Sequence, residues 1–476
     1  MTNEHGKFDD SARGANPDLN LSVAASQLAL QEVQTTQMAG NRLPTTSQSS
    51  ADSLSFGNIY ADTANPNLSL NKYLLNSVDD SDSTQQKLEQ QSDSLAGTAS
   101  VSVDRLAGKY PDAGLPAKMT GTTIDADVMY KLNISHPPSA QDQQNLDDYA
   151  DAVMSKAQGM NLNTVRLGAY WDQIMKDPNN PNYAELDAFM QAAQNHGLKV
   201  VLTVGEKAPG YPEYYFPQYK PGQSHSGSAG LPPTSSHNVV NFVKDVSDHI
   251  ASETTTGGAP GIGNAVAMWQ VENEPYDASG KDNYWLSPDQ VNQEIATLRA
   301  SDNGRRPIME TFWSDNRQVQ RLNQAFANPN VDVVGIDVYS RTGDEPQNSA
   351  DSSADKIRTQ DIPQYVENLA RASGKPAMIA ELQADPWGGT NGNHQNDFNP
   401  TSDTVNSLYN QEQSNGFSDV LFWRLDANLN ADNHIDAPNL SAAQIIDRIR
   451  NPLNYDYSES GITQAERQIA QTDSGA

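Results

Sequence analysis

Two glutamates in this chain of 476 residues stand where apolar runs give out. Glu274 follows the run AVAMWQV in the string AVAMWQVENEP, with Asn273 before it and Pro275 behind it. Glu381 sits near the end of a second run, KPAMIAEL. A carboxyl at a strand end can act as general acid or base, and two that converge can divide nucleophilic attack and proton transfer between them. Cleavage of a glycosidic bond uses such a pair. A retaining reaction needs the carboxyls about 5–5.5 Å apart, an inverting one about 6.5–9.5 Å with a water between. Either spacing is compatible with the sequence. Taken singly, each glutamate is an ordinary cap; the pair carries the chemistry.

The elements that must position them form a regular series. Apolar runs occur at TTIDADVMYKL (122–132), LNTVRLGAY (162–170), LKVVLTVG (198–205), AVAMWQV (265–271), RPIMETFW (306–313), VDVVGIDVY (331–339), KPAMIAEL (375–382) and DVLFWRL (419–425). Helical patterns such as NLDDYADAVMSKAQGM, AELDAFMQAAQNHG, VNFVKDVSDHIASE and IPQYVENLARASG lie between them, two of them closing on Gly197 and Gly374, where a helix stop is expected. Strands apolar on both faces that alternate with helices indicate parallel βαβ units. Eight units predict an α/β fold, a (β/α)8 TIM barrel with long loops. An open doubly wound sheet is the second choice, but no GxGxxG or Walker pattern supports it.

Barrel active sites lie at the C-terminal strand ends. Strand two carries Arg166 and runs to Tyr170 and Trp171, strand three to Glu206, strand five to Trp313, strand six to Asp337 and Tyr339, strand seven to Glu381 and then Trp387, and strand eight to Trp423. Trp269, set mid-strand, is expected in the core. The others would offer flat apolar walls beside carboxylates, and sugar rings with apolar C–H faces and hydroxyl rims suit such a cleft. Glu206 and His394 are further candidates for its lining. Glu272 is expected to face away from it.

Composition narrows the partners. With 31 basic and 60 acidic residues the net charge is −29, which repels nucleic acid and anionic membranes but not neutral sugars. The absence of cysteine removes thiolate metal sites, iron–sulfur clusters and thiol nucleophiles. The eight histidines show no HxH or HExxH spacing, so neither metal nor cofactor is expected. The loop DANLNADNHID has the oxygen donors of a calcium loop but lacks its glycine and closing glutamate, and is expected to be solvated. Residues 1–115, rich in Ser, Gln, Thr and Asn without Trp, form a low-complexity segment expected to be disordered. The barrel is placed at 116–455 and a polar C-terminal tail at 456–476. The N-terminus has no apolar core of a secretory signal, and no run reaches transmembrane length. A soluble protein is expected, cytoplasmic or exported without a classical signal.

WQVENEP followed by IAELQADPW resembles the clan A (4/7 superfamily) retaining glycoside hydrolases, over residues 120–452. The nearest match is glycoside hydrolase family 5, the cellulase and mannanase family, while LTVGEKAPGYPEYY is similar to the β-galactosidases of family 42. The resemblance implies a retaining β-glycosidase acting on a carbohydrate by double displacement, with Glu274 as acid/base and Glu381 as nucleophile. It further implies that Asn273 meets the sugar 2-hydroxyl, Arg166 lies beside the nucleophile and keeps it ionised, Tyr339 donates to it, and Trp423 forms a platform under the reacting sugar. Asp337 departs from the family pattern, which has a histidine near the strand-six tyrosine. A carbohydrate-binding barrel without activity is the alternative, although it has no use for the carboxylate pair. The Ser/Thr/Gln-rich N-terminus also resembles the leaders of bacterial type III effectors, which would make the barrel a secreted effector; a tail without targeting role is the plainer reading.

Overall fold

The computed structural model describes residues 101–475 apart from 126–127, 130, 178, 211–212, 216–237, 254, 257–258, 279–284, 340–360, 384–401, 426–427, 430–439 and 456–459. Eight strands make the barrel: β1 (Thr120–Thr123), β2 (Thr164–Gly168), β3 (Lys199–Val204), β4 (Val266–Val271), β5 (Ile308–Trp313), β6 (Val333–Tyr339), β7 (Ala377–Gln383) and β8 (Val420–Phe422). Each pairs in parallel with the next, and β8 pairs with β1 to close the ring. Among the described residues the helices of 9 residues or more are α1 (Ala140–Gly159), α2 (Ala184–Asn195), α3 (Val239–Ser252), α4 (Pro288–Ser301), α5 (Val319–Ala327), α6 (Ile362–Ser373), α7 (Ser402–Asn415), α8 (Ala442–Arg450) and α9 (Gly461–Ser474). Among the described residues no helix is long and apolar enough to cross a membrane.

Local chemistry explains the elements. All residues of β2, β4 and β6 are buried, as strands covered on both faces require. Helix α1 opens on a capping box in which Ser139 and Asp142 satisfy each other's backbone N–H, and its buried Leu146, Tyr149, Ala150, Val153 and Ala157 follow the helical period. Gly197 and Gly374 take positive φ of 69° and 71° just past α2 and α6, the left-handed step that ends a helix.

The first strand departs from expectation. It occupies Thr120–Thr123 rather than the run 122–132. A Cβ on Gly121 would lie 2.2 Å from Thr164 O and 2.8 Å from a Leu421 methyl, so glycine alone lets β1 fit between β2 and β8. The apolar Val128, Met129 and Leu132 are buried in the turn that follows. Their burial comes from packing, and the Val128 and Met129 amides donate to Glu185 Oε1 of α2 at 2.8 and 3.0 Å instead of to a strand.

The folded unit also extends beyond 116–455 at both ends. Val103 joins Met119, Val201, Met268, Met309, Met378 and Leu421 in the apolar interior of the barrel, within a helical turn at Val103–Leu106. Asp419 fastens this plug by accepting from Ser102 Oγ at 2.9 Å, Val103 N at 3.1 Å and Met119 N at 2.8 Å. At the other end α9 buries Ala465, Ile469 and Ala470, an apolar stripe too sparse to stand out in a polar segment. Its Asp473 accepts from Lys118 Nζ at 2.5 Å and Thr120 Oγ1 at 2.8 Å. The expected disorder of residues 1–100 lies outside the described residues.

Asp419→Ala would strand two buried backbone N–H groups, at about 1–3 kcal/mol each. Urea unfolding of the variant should lose about 3 kcal/mol of stability; a midpoint equal to that of the parent would show that the plug does not depend on this carboxylate.

Candidate active site

Strand β4 ends at Val271, and the backbone then enters the left-handed region at Glu272 (φ 60°) and again at Glu274 (φ 44°). Non-glycine residues there cost on the order of 1–3 kcal/mol each, so the turn must be held from several sides. It is. Glu272 N donates to Val204 O at 2.9 Å, Asn273 N to Lys207 O at 2.9 Å and Glu274 N to Thr311 Oγ1 at 3.1 Å. The fully buried Lys207 amine donates back to Glu274 O at 2.8 Å and Asp277 O at 2.9 Å.

Beneath the turn, the Glu272 carboxylate faces away and accepts from the Glu206 and Lys207 amides at 2.9 and 2.5 Å. Gly205 (φ 142°) makes room for it, since a Cβ there would lie 2.2 Å from the Glu272 carboxyl carbon. Glu294 of α4 packs against Glu272, and burial, then the Glu272 charge, holds its carboxyl well above the usual range.

Arg166, on β2, is fully buried. Its Nε donates to Gln270 Oε1 at 2.7 Å, and its Nη1 to Glu381 Oε1 at 2.5 Å and Thr123 Oγ1 at 3.3 Å. Its Nη2 donates to Asn273 Oδ1. Burial penalises the guanidinium charge, and the Glu381 and Asp337 carboxylates outweigh that penalty, so its pKa is raised. The other Glu381 oxygen accepts from Tyr339 OH at 2.5 Å. Burial, then the Glu381 charge, pushes the Tyr339 phenol well up, so it remains a donor.

Glu274, Asp337 and Glu381 each bring a carboxylate oxygen within 4.8 Å of the others. Burial first, then the charges of Asp337 and Glu381, holds the Glu274 carboxyl well above the usual range. Burial and Glu381 raise that of Asp337, with Arg166 pulling the other way. Three such carboxylates are a donor set for a hard cation, but Arg166 and Tyr339 already engage both Glu381 oxygens.

The structure thus brings Arg166, Asn273, Glu274, Tyr339 and Glu381 together. Trp313 tilts against Tyr339 with ring centroids 4.8 Å apart. Trp423, half-buried, lies under the Arg424 guanidinium, 5.4 Å from its ring centroid. Arg424 Nη1 and Tyr170 OH both donate to Asp125, at 2.5 and 2.9 Å, so Tyr170 is bound into the wall. Trp171 is not at the cleft: it is 1% exposed and stacks on Phe242 of α3 at 5.5 Å, because the chain turns into a short helix at that residue. Glu206, also buried, accepts from Gln290 of α4 at 3.2 Å. Trp387 and His394 lie outside the described residues, as do Asp426, Asn430, Asp432 and Asp436 of the loop weighed for calcium. Asn428 from that loop is described and donates to Glu466 of α9 at 2.9 Å.

Gln270, Thr311, Thr123 and Lys207 escaped the sequence reading. Gln270 alone had a signal, as an amide inside an apolar strand. It donates to Glu272 O at 2.8 Å and Thr311 Oγ1 at 3.1 Å, linking Arg166 to the turn that carries Glu274.

The family model for cellulase, glycosyl hydrolase family 5, matches residues 133–429. Among solved structures, an exo-β-1,4-mannosidase from Opitutaceae bacterium strain TAV5 is 14% identical with a TM-score of 0.44, over 75% of this chain and 60% of that one. An endo-β-1,4-mannanase from Thermotoga petrophila is 12% identical with a TM-score of 0.47, over 76% and 78% of the two chains. A glycoside hydrolase family 5 mannosidase from Rhizomucor miehei is 14% identical with a TM-score of 0.43, over 76% and 94%. No curated protein sequence matches the chain.

The raised carboxyls make stability depend on pH. Burial lifts Glu310 from 4.5 to about 7, and Glu274, Asp337 and Glu294 are displaced in the same direction. A carboxyl whose folded pKa exceeds its unfolded one stabilises fully below the unfolded value, and that stability is lost as pH rises towards the folded one. The urea midpoint should therefore be higher at pH 5 than at pH 8, with a shallower fall in Glu310→Gln. A midpoint that rises over this interval would contradict the linkage.

Proposed function

The chain belongs to glycosyl hydrolase family 5, and from that premise we propose that it hydrolyses a β-linked glycan or glycoside with retention of configuration, by double displacement through a covalent glycosyl-enzyme. One observation carries this reading: carboxylate oxygens of Glu274 and Glu381 lie within 4.8 Å of each other. That spacing suits a carboxylate that attacks the anomeric carbon itself, and is too short to place a water between acid and base.

In this reading Glu381 attacks while Glu274 gives its proton to the leaving oxygen. Glu274, then a carboxylate, takes a proton from the water that cleaves the glycosyl-enzyme, and Glu381 leaves as it began. The environments support this division. Glu381 accepts from Arg166 through one oxygen and from Tyr339 through the other, which fixes its orientation for attack. Glu274 Oε1 is buried and meets no hydrogen-bond donor among the described residues, which favours the neutral acid. Asn273 has its Oδ1 engaged by Arg166, so the Nδ2 amide is the group left to meet a sugar hydroxyl. Trp423 and Trp313, both half-buried, are the apolar surfaces available to a pyranose ring.

Glu381→Ala should remove turnover across aryl β-glycosides and β-glucan, mannan and galactan polymers while leaving the unfolding transition in place. Glu274→Ala should cost about 10²–10⁴-fold on polymers, and much less on aryl glycosides whose leaving groups need no proton. The first product, followed by NMR, should keep its anomeric configuration. An inverted product, or full hydrolysis by Glu381→Ala, would refute the double displacement.

A further inference from the structure

Asp337 has no part in the reaction as assigned, yet it sits at its centre. It is fully buried on β6, paired in register with Trp313 on β5 and with Glu381 on β7. Its carboxylate is the third member of the group within 4.8 Å. The donors around it are unevenly shared: Glu381 has Arg166 on one oxygen and Tyr339 on the other. Neither oxygen of Asp337, nor Oε1 of Glu274, has a hydrogen-bond donor among the described residues.

Three ionised carboxylates beside one guanidinium would bury excess negative charge, which costs several kcal/mol in a low-dielectric site. At least one proton must stay in the group. Glu381 already has two donors, so the proton gains most between Asp337 and Glu274 Oε1, which have none among the described residues. A carboxyl–carboxylate hydrogen bond formed there would be strong, because one partner is ionised.

We propose that Asp337 is a positioning residue for Glu274, sharing one proton with it and so keeping the acid carboxyl charged with the proton it delivers. The other ionisable groups facing this pair come from several elements. They are Glu381 from β7, Arg166 from β2, Tyr339 from β6 itself, Glu213 from the loop after β3, and Asp277 and Lys207 around the turn that carries Glu274. Arg166 and Lys207 are the cations, and both are committed elsewhere: Arg166 to Glu381, Asn273 and Gln270, and the Lys207 amine to two carbonyl oxygens. The Asp337 charge follows burial as the main neighbour holding the Glu274 proton on. This role takes its meaning from Glu274 as proton donor, but the sharing itself is measurable without any substrate.

The test is carbon-13 NMR of the full chain labelled at glutamate side-chain carboxyls, with the Glu274 resonance identified by its loss in Glu274→Gln. Replacing Asp337 with Asn should weaken Glu274 proton affinity about tenfold or more, a drop of at least one pH unit in its titration midpoint. The basic limb of kcat/KM should move to lower pH in the same variant, a change that a purely structural role would not produce. Asp337→Ser supplies the same comparison where Asp337→Asn fails to fold. A Glu274 midpoint that stays in place or rises would overturn the proposal. If Glu274→Gln keeps full turnover while the midpoint still falls, the sharing stands and the assignment of Glu274 as the acid fails. If Glu274→Gln is inactive and the midpoint does not move, the sharing fails and the assignment stands.

Discussion

The interaction on which the rest depends is the buried guanidinium of Arg166. A cation taken wholly out of water is tolerated only when its donors are engaged and its charge is met. Arg166 meets that demand with Thr123 of β1, Gln270 of β4, Asn273 just beyond β4, and Glu381 of β7. The fork is planar, so its bond directions set the relative depth and rotation of those side chains. One residue thereby ties together strands far apart in sequence and close around the barrel. Through Gln270 and Thr311 the same network reaches the backbone amide of Glu274.

That arrangement concentrates unfavourable features in a small volume. Two non-glycine residues adopt left-handed backbone, three carboxylates crowd one cation, and a second carboxyl pair, Glu272 and Glu294, lies just below. Each of these opposes folding: left-handed backbone is strained at non-glycine residues, and burial with neighbouring charge raises the crowded Glu274 and Asp337 carboxyls. The surrounding barrel supplies what offsets this, with strands buried on both faces and an apolar interior closed at its base by Val103. A stable frame around a costly site is the usual compromise between stability and activity.

The neighbouring carboxyls here are alike in depth and differ in their donors. Glu381, Asp337 and Glu274 are all buried. Only Glu381 is approached by a guanidinium and a phenol. Asp337 and Glu274 Oε1 meet no such donor among the described residues, and burial together with the neighbouring charges raises both of those carboxyls.

Much of the molecule was legible in one dimension. Apolar runs alternating with amphipathic helices determined a parallel barrel, because a strand covered on both faces and a helix covered on one leave different periodicities in the chain. The abrupt end of AVAMWQV at Asn273 and Glu274, and the carboxylate near the end of KPAMIAEL, marked which loops to bring together. Other features had no local signature. The Thr-rich β1 was hidden because a short strand relying on Gly121 for close approach carries no apolar alternation. Trp171 looked like a cleft wall but packs on Phe242, since a side chain's direction follows from the turn its backbone makes. Asp337 showed in sequence only as an unexpected residue before a tyrosine. Its distance from two glutamates, and the absence of any donor for it among the described residues, were decided when β4, β6 and β7 closed into one ring. Periodicity records what each residue needs to be buried against; only the closed barrel determines which charges share that burial.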